Sequence, residues 1–188
     1  MIIRTALPTE LPEIGDIRVA AYRADGFLSP ASEYAATLHA LGHDGSGDVL
    51  VAVADDGQLL GTVMLEYWSS KAGPSKSGPS ISGPSISGAV HGPGEAEIRA
   101  LAVRPAARGQ GAGNALLTAI IELAAAHGVE HLVLATLPAM RTAHRMYEKA
   151  GFTRLPERDW APGDAQSRDS LMVFGLRLKA SPHDPSGS

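Results

Sequence analysis

The stretch RPAARGQGAGNALL, from Arg104 to Leu117, constrains the fold more than any other, because Gly109, Gly111 and Gly113 alternate immediately ahead of an apolar, helix-forming run. Just before it stands EAEIRALAV, residues 95–103, which reads as a strand. Glycine is costly at a helix start unless the chain must turn tightly or let something approach its amides closely. An anion would supply that reason. The first turn of a helix leaves N–H groups unpaired and carries the positive end of the helix dipole, so a phosphate placed there meets several donors at once. Arg108 adds charge beside them.

The flanking segments give a mixed α/β order. IIRTAL opens as a strand, and Pro8 and Thr9 introduce a helix with Leu11, Ile14, Ile17 and Ala21 on one face. A second helix is expected from Ser29, with Ser29 as cap, Pro30 at the first helical position and Tyr34, Leu38 and Leu41 as its buried stripe. Residues 48–68 read as a hairpin turning at Asp55, Asp56 and Gly57. After the glycine stretch come a helix carrying Leu116, Leu117, Ile120, Ile121 and Ala124, then the strand HLVLATL. A helix opened by Pro138 and stopped by Gly151 follows, and DSLMVFGLRL makes a last strand.

Between the hairpin and residue 95 the composition breaks. AGPSK, SGPSI and SGPSI stand in tandem from Ala72 to Ile86, with no face from which a core could be built. Residues 69–94 are therefore expected to be a tether inserted between two strands of a single domain spanning 1–179. Residues 180–188 are expected to form a frayed tail.

Composition narrows the chemistry. Zero cysteines exclude disulfides, thiolate metal sites and a cysteine nucleophile, and the seven histidines show no tight ligand spacing, so no metal is expected. A net charge of −4 gives no whole-chain pull toward nucleic acid or anionic lipid. No stretch has the pattern of a signal peptide or a membrane span, which makes the cytoplasm the expected location. A small-molecule or peptide substrate fits better than a polymer or a bilayer.

Three phosphate-binding patterns compete for the glycines. A Walker A loop needs lysine and then serine or threonine after its last glycine, whereas Asn114 and Ala115 follow Gly113. The dinucleotide fingerprint wants its glycines directly at a strand end and an acidic residue closing the next strand; here RPAAR intervenes, and Thr136 and Leu137 close that strand. The third pattern fits. AEIRALAVRPAARGQGAGNALL resembles the acetyl-coenzyme A signature of the GNAT superfamily of N-acetyltransferases: Arg or Gln, two residues, Gly, one residue, then Gly or Ala, here Arg108, Gly111 and Gly113. MYEKAGF, residues 146–152, resembles the same superfamily's helix-to-strand segment with its tyrosine.

The resemblance implies a GNAT acyl-CoA N-acyltransferase fold: a central, mostly antiparallel mixed sheet flanked by helices. It further implies that Arg108, Gly109, Gln110, Gly111, Ala112 and Gly113 cradle the pyrophosphate of acetyl-CoA. Leu101, Ala102 and Val103 match positions whose backbone lies along the pantetheine arm and holds the thioester carbonyl, where a backbone donor would stabilise an oxyanion. Tyr147 matches the tyrosine that reaches the coenzyme A sulfur, as general acid; alternatively it packs in the core. Glu97 matches the glutamate that some members use as general base; a plain Glu97–Arg99 ion pair on one strand face is the alternative.

Two positions depart from the family. Ala135 stands where the ribosomal-protein alanine acetyltransferases carry a catalytic glutamate, and Met140 where many members have an asparagine seven residues before the tyrosine. The acceptor pocket is implied to draw on residues 23–34 and 154–169, with Tyr34, Arg158 and Trp160 as candidates and Tyr67 and Trp68 open to the same reading. The expected activity is direct acetyl transfer to a primary amine of a small molecule or peptide; the alternative is a non-catalytic acyl-CoA sensor or partner-binding module. A homodimer is compatible with either.

Overall fold

The computed structural model describes residues 1–29, 32–67, 92–159 and 171–178. The tandem repeats of residues 72–86, Trp68, Trp160, Pro30 and the tail 180–188 lie outside the described residues. The described elements run β1 (Ile2–Thr5), α1 (Leu11–Ala24), α2 (Tyr34–Ala40), β2 (Gly47–Val53), β3 (Leu59–Tyr67) and β4 (Glu95–Val103). They continue with α3 (Ala112–Ala126), β5 (His131–Thr136), α4 (Arg141–Lys149), β6 (Thr153–Arg154) and β7 (Met172–Arg177). The strands form one sheet in the order β1-β2-β3-β4-β5-β7-β6, antiparallel throughout except for the β4–β5 pair.

Both faces of the sheet are covered, and β2 shows why its sequence is apolar without interruption. Val49, Val51 and Val53 pack with Ile14, Ile17 and Ala21 of α1, while Leu50 and Ala52 turn to the other face, where Leu116, Leu117 and Ile120 of α3 lie. A strand buried on both sides has no polar face to alternate with. β3 and β4 approach each other closely at Gly61. A Cβ added at Gly61 would stand 2.6 Å from the carbonyl oxygen of Ala102. Gly61→Ala is therefore expected to push the two strands apart and destabilise the fold by about 1–3 kcal/mol, read as a lower thermal midpoint. An unchanged midpoint would show that the ladder yields without cost.

Two helix starts differ from the sequence expectation. The second helix begins at Tyr34 rather than behind Ser29: the Ser29 carbonyl accepts the Ser32 amide at 3.1 Å, and Glu33 takes the cap position. The last helix begins at Arg141, with Met140 as its cap. Pro138 lies instead in a turn closed by the Met140 amide on the Leu137 carbonyl at 3.0 Å.

The feature that shapes the site is an irregularity in β4. Met64 faces Arg99 and Thr62 faces Ala102, so two residues of β4 lie opposite Val63 alone, and Ala100 takes φ +50° to absorb the extra one. This is a β-bulge, and it reverses the side-chain phase of the strand. Ala96 and Ile98 point toward α3 before it; after it Leu101 and Val103 do, and Ala102 joins the α1 side. The pairing of β4 with β5 ends near the same place. Only Glu95, Ala96 and Glu97 are matched to His131, Leu132 and Val133, and beyond them the two strands part.

Candidate active site

The parted strands open a cavity of about 960 Å³. Leu101, Ala102 and Val103 line it from β4, Leu134, Ala135 and Thr136 from β5, Tyr147 from α4, and Glu97 from the last paired position of β4. At its far end lies the glycine turn. Gly109 and Gly111 adopt φ +78° and +83°, a region costly for other residues, and Gly111 caps α3. Among the described residues no acceptor meets the amides of residues 109–114. A Cβ at either Gly109 or Gly111 would touch nothing within 4 Å, so the turn presents bare backbone to open space. Gly113 is less exacting: a Cβ there would stand at ordinary contact distance, 3.5 Å, from the Met146 sulfur of α4.

Unpaired amides, a helix N-terminus and an open approach suit a phosphate-bearing ligand such as acetyl-CoA. Of the predicted contacts, Leu101, Ala102, Val103, Arg108, Gly109, Gly111, Ala112 and Gly113 all line the cavity. Gln110 is exposed beside it. Arg108 is held in a way the sequence does not announce. Its two terminal nitrogens donate to both carboxylate oxygens of Asp25, at 2.7 and 3.0 Å, tying the turn to the end of α1.

Glu97 is 1% exposed, and its Oε1 has no hydrogen-bond partner. The ion pair with Arg99 is not formed; Arg99 reaches across to Glu66 on β3 instead. Burial pushes the Glu97 carboxyl up to about 8, further raised by Glu66 and opposed by the Arg99 and Arg158 cations. A carboxyl tuned to that range exchanges protons near neutral pH. Tyr147 is both a core residue and a wall of the cavity. Its ring packs against Phe152 and Phe174, with centroids 6.0 and 6.3 Å away, and it also lines the cavity. Burial raises its phenol to about 12, so it stays protonated at neutral pH.

Of the acceptor-side candidates, Tyr34 lines the cavity. Arg158 forms a two-point pair with Glu95 at 2.9 and 3.0 Å. Tyr67 is taken up elsewhere, donating to Asp48 at 2.5 Å. Sequence reasoning missed Asp25, Glu66 and Arg18, the last fully buried in α1. Arg18 did leave a signal: it stands one residue after Ile17 on the apolar stripe of Ile14, Ile17 and Ala21. Among the described residues no group of three or more potential ligands could hold a metal, and no helix is long and apolar enough to cross a membrane.

Comparison with known proteins agrees with this fold. The chain is 33% identical over 85 residues to a ribosomal protein bS18 alanine N-acetyltransferase of Haemophilus ducreyi, a match covering 45% of this chain; the chain spans 59% of that curated relative's length. Among solved structures, a GNAT-family acetyltransferase of Staphylococcus aureus Mu50 superimposes with TM-score 0.68 at 13% identity, over 95% of this chain and 99% of that one. The Escherichia coli ribosomal-protein-S18-alanine N-acetyltransferase gives 0.67 at 18% identity, over 97% of each chain. The Salmonella typhimurium yncA structure, solved with its cofactor acetyl-CoA, gives 0.63 at 17% identity, over 100% of this chain and 99% of that one. The profile of the acetyltransferase (GNAT) family itself matches residues 11–152, from the start of α1 through the glycine turn to the residue before β6. With the parted strands, the glycine-capped helix and that match over most of its length, the chain belongs to the acetyltransferase (GNAT) family.

Proposed function

We propose that this protein transfers the acetyl group of acetyl-CoA directly to a primary amine. The observation that carries the reading is the placement of Glu97 and Tyr147 in one cavity whose far end is the unpaired amide turn. Bound acetyl-CoA would supply an activated thioester. The amides of residues 109–113 bind its pyrophosphate, and the unpaired edge of Leu101–Val103 orients the arm and offers donors to the charge that develops on the thioester carbonyl. Glu97, once ionised, takes the proton that the amine loses as the new C–N bond forms. Tyr147 donates to the sulfur as the C–S bond breaks. Because its phenol lies well above an ordinary thiol near 8.5, Tyr147 acts mainly through a hydrogen bond to the leaving sulfur, with full proton transfer uphill.

The test is release of free thiol from acetyl-CoA in the presence of amino acids, polyamines, aminoglycosides and N-terminal peptides. Thiol release with one amine class establishes the transferase. Coenzyme A binding without release across the panel favours a sensor. Tyr147→Phe keeps the ring packing and removes only the hydroxyl, so kcat should fall about 10-fold or more with little change in coenzyme A affinity. An unchanged kcat would remove Tyr147 from the chemistry.

A further inference from the structure

Tyr22, Phe27, Tyr34, Leu41 and Arg99 also line the cavity, from α1 and the residues after it, α2 and the front half of β4. Arg99 is 8% exposed. One of its terminal nitrogens is engaged by Glu66, and its Nε has no hydrogen-bond partner. Arg18 lies behind, within electrostatic reach of Tyr22, Tyr34 and Arg99. It is fully buried, donates once to the Leu41 carbonyl at 2.7 Å, and leaves Nε and Nη2 without partners. Among the described residues no carboxylate pairs with it. Burial lowers its pKa to about 10, which leaves it a cation at neutral pH.

A buried guanidinium with unmet donors is expensive, and an anion in bidentate reach is what relieves the cost. The local charges show that the protein does not supply enough of one. While Glu97 holds its proton, Arg18 and Arg99 stand against Glu66 alone, since Glu95 is already engaged by Arg158 and by His131 at 2.9 Å; once Glu97 ionises the charges balance, but the unmet donors of both guanidiniums remain. At the moment of binding, with Glu97 protonated, the excess is positive. A polycationic amine would be repelled by it, and an amine with an attached anion would be drawn to it.

We propose that the acceptor is an amine bearing its own carboxylate, as a free α-amino acid does, with Arg99 binding that carboxylate, Arg18 reinforcing it from behind, and the amine directed toward Glu97. The inference rests on the acetyl-transfer reading above and narrows its acceptor. Deprotonated amine nitrogen joins the acetyl carbon, the sulfur departs, and the carboxylate stays bound and unchanged throughout.

Free amino acids are to be compared with their own carboxamides, which keep the amine and lose the charge, in two assays: calorimetric binding to the coenzyme A-loaded protein, and thiol release from acetyl-CoA. At least one acid is expected to bind tenfold or more tightly than its amide and to release thiol, and Arg99→Gln should collapse that preference while Arg99→Lys restores part of it. Acids that bind preferentially without thiol release would uphold the carboxylate site and overturn acetyl transfer. Amides, polyamines or N-terminal peptides that bind equally or better would overturn the inference. So would the absence of binding by every acid, whatever other amine releases thiol.

Discussion

Replacing Glu97 with glutamine is expected to lower kcat/KM for the acceptor about 10²–10⁴-fold, the usual worth of a general base, and to abolish the ascending limb of the pH–rate profile. In the unaltered protein that limb should level off near pH 8, where burial places the carboxyl. The same substitution should move stability the other way. A carboxyl raised from 4.5 to about 8 favours folding most below pH 4.5, where both states carry the proton, and that contribution is lost as pH rises toward 8. Every tenfold difference in proton affinity between the folded and unfolded chain corresponds to about 1.4 kcal/mol, so Glu97→Gln should melt above the unaltered protein at pH 9 and show little of that gain at pH 4.5. Opposite signs in activity and stability mark a residue kept for function. A variant of full activity would remove Glu97 as the base.

Gly111→Glu should have the second large effect, on cofactor affinity. The backbone at Gly111 has φ +83°, where any L side chain is strained by about 1–3 kcal/mol, while the space around it is open. Gly111→Ala therefore reports strain alone. A glutamate adds a carboxylate beside the expected pyrophosphate, and two such charges 4 Å apart repel by about 4 kcal/mol at an effective dielectric of 20. Partial exposure of the new side chain reduces this, which leaves an expected loss of roughly 100-fold beyond the alanine variant in equilibrium titration with coenzyme A. Equal affinities for the two variants would show that the phosphates bind elsewhere.

How much of the molecule is legible in the sequence varies with the range of the interactions involved. β4 can be read to the residue because its boundaries are local: an acidic start, an apolar run and a proline just past its end. The α3 start follows from the glycines, whose conformation needs no distant partner. Ser29 and Pro138 mislead for the converse reason. Serine and proline suit a tight turn as well as a helix start, and the turn wins both times. The bulge at Ala100 leaves a readable trace that strand alternation alone passes over. Ile98, Leu101 and Val103 cannot all face one side of a regular strand, because the first two are an odd number of positions, three, apart. The Arg99–Glu66 pair is beyond reach, since it depends on the register of β3 against β4 across a long connection. Arg18 lies on the apolar stripe of α1, but that it is buried there follows only from α2 and the sheet closing over that stripe.

The parting of β4 from β5 also bears on how firmly the folded chain holds together. Without a ligand, the facing edges of residues 98–103 and 134–136 are N–H and C=O groups that the sheet itself leaves unmatched, an internal version of the exposed edge that most sheets cover. Whatever fills that gap acts as a structural insert as well as a reactant. By mass action a ligand at 100 times its dissociation constant adds about 2.7 kcal/mol to the folded state. On the acetyl-transfer proposal that ligand is acetyl-CoA, and the thermal midpoint of the protein should then climb with its concentration.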